Sequence, residues 1–215
     1  MGIPGETAKQ ELLRNRHNIL MPSPKALPPT YRLKITLVGI EPPIWRVIEV
    51  PSSIKLCCVH DAFQVVLGWT DSHLHQFEKD ELFWGVPEWD EFDELDLIDE
   101  SKTRLAKLLK AQGDSFIYLY DFGDDWQHEV VLEAIIPVNE VAKTPVCLGG
   151  ARRCPPEDVG GVHGYQEFLQ IIFDPTHEEY EHLVGWAGGH FHDEFDLESV
   201  NETLRRMRWP LRHRR

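Results

Sequence analysis

Between Asp121 and His128 the chain sets Asp121, Asp124, Asp125 and His128 within eight residues. Carboxylate oxygens and an imidazole nitrogen are ligand types for a divalent metal, and a carboxylate beside a histidine also orients it for proton transfer. His73 and His75 supplement either arrangement if their segment lies alongside. A second donor set is Cys147, Cys154 and His163, with His177 or Asp158 as a fourth ligand. Six residues separate its cysteines, wider than the usual two to four of a zinc knuckle. Arg46 joins His73, His75 and the turn residues as a candidate member of a polar site.

Each set also has a structural reading. Asp121 and Asp124 are suited to accept hydrogen bonds from turn amides, and Gly123 permits a turn conformation. Alternation puts His128 on the same face as Trp126, Val130 and Leu132, where a structural histidine belongs. The cysteines then pack as small apolar side chains. Other chemistries lack their motifs. No Gly-x-Ser-x-Gly elbow occurs. Gly149-Gly150 and Gly160-Gly161 lack the Lys-Ser or Lys-Thr of a phosphate loop. Cys58 and His60 diverge on a helix, being two residues apart.

The elements that must position these groups are readable from periodicity. Tyr31, Leu33, Ile35 and Leu37 alternate with polar residues, as in a half-buried strand; Pro42-Pro43 turns the chain, and Ile44 to Val50 returns. From Ile54 to Leu67 the period becomes helical through Leu56, Val59, Phe63 and Val66, with His60 and Gln64 one turn apart and Gly68 as the stop. His73, His75 and Phe77 are expected on one side of a short strand. Leu82 to Trp84 reads as a strand end, and residues 103–110 as a helix or long turn. Phe116, Tyr118, Tyr120 and Phe122 share a face of the strand before the acidic turn, and the next strand runs to about Ile136. Pro137 to Gly161 reads as loop. Helices are expected at Tyr165 to Phe173, Glu178 to Val184, and Leu197 to Met207 capped by Asp196. Strands followed by terminal helices predict an α+β fold, a mainly antiparallel sheet packed against helices in a single compact domain.

The expected organisation is an N-terminal arm and Pro-rich linker over residues 1–30, a domain over 31–209, and a basic tail over 210–215. Of 215 residues, 42% are apolar, enough for a sizeable core. The formal charge of −14 repels a nucleic-acid backbone and suits a cationic or metal partner. Eleven carboxylates face one lysine between Glu78 and Glu100, whereas Arg205, Arg206, Arg208, Arg212, Arg214 and Arg215 crowd the end. Nucleic-acid contact is therefore expected only through those arginines. With no secretory signal or membrane-spanning apolar run, the reading is a cytoplasmic protein with reduced thiols.

Several pieces in order resemble the plasmid pRiA4b ORF-3-like family across roughly Tyr31 to Leu204. They are Pro42-Pro43-Ile44-Trp45-Arg46, the His60 and Gln64 helix ending Gly68-Trp69, His73-Leu74-His75-Gln76-Phe77, and Leu97-Ile98-Asp99-Glu100. The most specific are Tyr120-Asp121-Phe122-Gly123-Asp124-Asp125-Trp126-Gln127-His128 and Pro155-Pro156-Glu157-Asp158-Val159-Gly160-Gly161. The resemblance implies a compact α+β domain of uncharacterised role; some members carry resolvase or repressor labels. This chain departs from the pattern at Val47, where a second arginine commonly follows Arg46, and within Phe191 to Asp196, where Asp193 or its neighbour replaces a typical proline. The leading expectation is a noncatalytic binding domain for an unknown protein or small ligand. The alternatives are a metal-dependent enzyme, such as a hydrolase, at the Asp/His turn, and a resolvase-like nucleic-acid-associated protein.

Overall fold

A computed structural model describes residues 27–89, 96–137, 144–207 and 209. The expected N-terminal arm, most of the Pro-rich linker, the centre of the acidic segment and the tail arginines from Arg208 onward lie outside them.

Among the described residues eight strands form one open sheet: β1 (Thr30–Leu37), β2 (Trp45–Pro51), β3 (His75–Lys79), β4 (Leu82–Gly85), β5 (Ile98–Asp99), β6 (Ser115–Tyr120), β7 (Trp126–Ile136) and β8 (Val146–Ala151). Their order is β5-β4-β3-β6-β7-β1-β2-β8, and every neighbouring pair is antiparallel except β4 with β5. The described helices are α1 (Leu56–Leu67), α2 (Leu105–Leu108), α3 (Gly161–Ile172), α4 (Tyr180–Trp186) and α5 (Leu197–Arg206). This is the expected α+β fold with a mainly antiparallel sheet.

Period-two patterning makes the sheet one-sided. Leu33 and Ile35 of β1, Ile48 and Val50 of β2, Phe77 of β3, Tyr118 and Tyr120 of β6, and Trp126, His128, Val130 and Leu132 of β7 are buried on one face. Helix α1 supplies Leu56, Val59, Phe63 and Val66 to the same core and stops at Gly68, whose φ is +83°. Helix α5 begins as predicted: the Asp196 carboxylate accepts from the Ser199 N–H at 2.9 Å. Among the described residues no helix is long and apolar enough to cross a membrane.

Two expectations need correction. The segment from Pro137 to Gly161 is not all loop, because β8 lies on the edge of the sheet beside β2. Its glycines hid it from periodicity. A Cβ on Gly150 would meet Arg46 Cδ at 2.7 Å, the Trp45 carbonyl at 2.8 Å and the Phe195 ring at 2.9 Å, so no larger residue fits where the edge strand closes over Arg46. The second correction is that Phe122 does not share the buried face of Phe116, Tyr118 and Tyr120; it lies in the turn and is exposed.

The adjacent glycines of β8 separate packing from propensity. Gly150→Ala should cost about 1–3 kcal/mol by overpacking. Gly149→Ala, whose Cβ would find nothing nearer than the Trp45 ring at 3.9 Å, should stay within about 0.5 kcal/mol of wild type. Urea unfolding midpoints of the two variants provide the check.

Candidate functional site

The β6–β7 turn is built by its own carboxylates. Asp121 and Asp125 both take left-handed backbone conformations, with φ of +60° and +56°. The Asp121 Oδ1 accepts from the Gly123 N–H at 2.9 Å and the Asp124 N–H at 3.3 Å, and the Asp125 N–H closes the turn on the Asp121 carbonyl. Asp125 accepts from the Gln127 side-chain amide. Asp124 reaches outward instead: its Oδ2 accepts from the Gly160 N–H at 3.1 Å. Gly161 has φ of +68°, and a Cβ there would stand 2.6 Å from the Asp124 carbonyl. The two most distinctive sequence pieces therefore meet as packed partners.

Tyr120 strengthens that junction. Its hydroxyl donates to Glu157 Oε1 at 2.6 Å and accepts from the Ser72 N–H at 3.0 Å. The other Glu157 oxygen accepts from the Thr70 hydroxyl. Trp69 stacks on Tyr120 with centroids 4.9 Å apart and donates its indole N–H to the Pro155 carbonyl at 3.0 Å. Burial, then the adjacent Glu157, raises the Tyr120 phenol above its ordinary pKa. It is a proton donor in a fixed bond, unsuited to act as a base near neutrality.

A second polar network lies under α1. The Asp71 N–H donates to Gln64 Oε1 at 2.9 Å, which directs the Gln64 amide N–H onto the Tyr118 hydroxyl at 3.1 Å. The Tyr118 proton then goes to His60 Nδ1 at 2.8 Å, and His60 Nε2–H donates to Asp71 Oδ1, also at 2.8 Å. Donor bookkeeping makes His60 neutral, in agreement with burial, which lowers its pKa despite Asp71. The His75 ring stacks on His60 at 3.5 Å and 6°, and its Nε2 meets Glu100 Oε2 at 2.9 Å. Both His75 and Glu100 are buried. Sequence reasoning paired His60 with Gln64 but missed Tyr118, Asp71 and Glu100, since the phenol that joins them arrives from another strand.

The other predicted residues disperse. His73 precedes β3 rather than sharing its face with His75 and Phe77; its Nε2 stands 3.6 Å from Asp121 Oδ2 and 3.4 Å from Asp158 Oδ1. His128 is fully buried, and its Nδ1–H donates to the Tyr118 carbonyl at 3.2 Å. Among the described residues, the groups whose donor atoms converge are His60, Asp71 and His75, and His73, Asp121 and Asp158. Asp121, Asp124 and His128 do not converge as a set. Neither do Cys147, Cys154 and His163: Cys147 faces the Gly149 carbonyl, Cys154 lies against Arg46, and His163 is exposed beside Glu167.

Arg46 is buried, donating to the carbonyls of Val66, Trp45 and Ala151 with the Phe195 ring 3.9 Å from its guanidinium carbon. The departure at Val47 lies on the opposite face of β2 from Arg46 and leaves these contacts untouched. The other departure is used: Asp193 Oδ2 accepts from Arg152 Nε at 2.7 Å. Above Arg46 opens a cleft of about 470 Å³, with walls of Trp69, Pro155, Pro156 and Phe195 and a rim that includes Arg153 and Glu194. Its thiol, Cys154, has its pKa pushed up to about 11 by burial, against the opposing pull of Arg46.

Comparison with known proteins follows the same lines. The model of the plasmid pRiA4b ORF-3-like protein family matches residues 29–202. An uncharacterized protein, y4hQ, from Sinorhizobium fredii is 39% identical over 165 residues, covering 75% of this chain and 82% of its own. The crystal structure of a protein of unknown function, MM3350, from Methanosarcina mazei Go1 superimposes with a TM-score of 0.71 at 39% identity. It covers 81% of this chain and 98% of that one.

Burial lowers the His128 pKa to about 4. An unfolded histidine titrates near 6.5, so acid protonates the unfolded chain first. The stabilisation from neutral His128 is complete above pH 6.5 and is lost as pH falls to about 4, a loss of about 3 kcal/mol. The stability advantage of wild type over His128→Phe should shrink across that window in urea titrations. A gap independent of pH would contradict the assignment.

Proposed function

The chain belongs to the plasmid pRiA4b ORF-3-like family, and from that premise we propose that it is a noncatalytic binding domain whose ligand seat is the cleft above Arg46. One observation carries the reading: polar groups beside the cleft are already committed to holding its walls. Tyr120 and Glu157 bond to each other, Trp69 bonds to Pro155, and Cys154 stays protonated near neutral pH. A group that is both hydrogen-bonded and protonated supports a wall better than it attacks a substrate.

The lining suits a ligand with an apolar body and charged ends. Trp69, Pro155, Pro156 and Phe195 supply rigid apolar contact, and Arg153 and Glu194 offer charge of both signs at the rim. A small zwitterion or a short protein segment has that chemistry. The four described cysteines are free thiols, in keeping with a reducing, cytoplasmic setting. The nucleic-acid reading gains less support, because Arg206 is paired with Glu202 on its own helix.

Ser199 lies at the cleft and is exposed, so a bulky residue there blocks the seat without entering the core. In a fragment screen followed by NMR shift mapping, binders should perturb Trp69, Pro155-flanking amides and Ser199, and Ser199→Trp should weaken them at least tenfold. The recovered fragments should be chemically unchanged. Binders mapping elsewhere would overturn the seat, and turnover would overturn its noncatalytic character.

A further inference from the structure

We infer that His73, Asp121 and Asp158 form a binding site for a divalent transition-metal cation such as Zn2+ or Mn2+. The inference goes beyond the cleft, whose lining contains none of these three residues. The distances decide it. A made N–H···O hydrogen bond spans about 2.7–3.2 Å, whereas His73 Nε2 lies 3.6 Å from Asp121 Oδ2 and 3.4 Å from Asp158 Oδ1. Two donors each about 2.0–2.1 Å from one tetrahedral cation stand roughly 3.4 Å apart. The three ligand atoms lie within 4.8 Å of one another.

A second observation points the same way. His73 Nε2 is buried with no hydrogen-bond partner among the described residues, although it is directed between two carboxylates. A buried ring nitrogen without a bond is costly unless something occupies the space it faces. The oxygens are divided between tasks as well. Asp121 uses Oδ1 to cap the turn, leaving Oδ2 toward His73. Asp158 is largely exposed, so a fourth position faces solvent. One imidazole with two carboxylates suits Zn2+ or Mn2+ better than Ca2+ or Mg2+, whose sites are built from oxygen.

The other convergent group, His60, Asp71 and His75, is less suited to a cation. A metal bound to imidazole lies near the ring plane, and the parallel His60 and His75 planes, 3.5 Å apart, share no such point. A cation at His73 would join three chain segments: the approach to β3, the β6–β7 turn and the Pro155–Gly161 loop.

The test is calorimetric titration of EDTA-treated, dialysed full-length protein with ZnCl2 or MnCl2, with thermal unfolding in parallel. One saturable site per chain is expected, with a cation-dependent rise in Tm. Asp158→Asn and His73→Asn should each weaken it at least tenfold. Asp158 is an exposed loop side chain with φ of +61°, a conformation asparagine tolerates, so cation-free Asp158→Asn should keep wild-type Tm and show that lost binding is not lost folding. Weak binding unaffected by either substitution would mean adventitious surface histidines only and overturn the site, as would binding lost on Asp71→Asn but retained in Asp158→Asn. Cleft mapping in EDTA is independent of both outcomes.

Discussion

The bond from the Tyr120 hydroxyl to Glu157 joins parts of the chain that no backbone ladder connects. Tyr120 ends β6 in the middle of the sheet, and Glu157 sits in the loop ahead of α3. Around this bond Trp69 stacks on the phenol and holds Pro155, while Asp124 holds Gly160. The loop leaving α1, the acidic turn and the Pro-Pro loop are thereby fixed to one another. These contacts hold Trp69, Pro155 and Glu157 of the cleft wall in place. A one-sided sheet supplies the foundation, since its packed face brings the aromatic residues of β6 and β7 beneath α1.

The buried polar groups beneath α1 and around Arg46 follow a consistent logic. An unpaired donor or acceptor away from water costs about 1–3 kcal/mol, so a core that admits histidine, tyrosine and glutamate must chain them together. Gln64, Tyr118, His60 and Asp71 do so with each proton assigned. Arg46 meets the same demand through three carbonyl oxygens and an aromatic face. Such networks specify one packing arrangement at modest net gain in stability. The residues that look most chemical in the sequence are thus largely the ones that fix the fold.

Local pattern carried the parts of this structure that depend on neighbours in sequence. The β1–β2 hairpin, α1 with its Gly68 stop, the β6–β7 hairpin and the Asp196 cap follow from periodicity and end signals. Burial of His128 was legible from its company on the Trp126 face. What escaped depends on distant contacts. β8 needed knowledge that Arg46 and Phe195 crowd Gly150, and the role of Glu157 needed Tyr120 beside it. His73 and His75 looked equivalent by alternation, yet β3 begins only at His75, which sends the two side chains to different networks.

A double-mutant cycle between Tyr120 and Glu157 addresses the central claim most directly. Stabilities of wild type, Tyr120→Phe, Glu157→Ala and the double variant, measured by urea unfolding, isolate the coupling across the tie. A coupling energy above about 1 kcal/mol is the predicted result for a phenol bonded to a carboxylate. Additivity within about 0.5 kcal/mol would contradict the account, leaving the acidic turn and the Pro-Pro loop as neighbours that do not depend on each other.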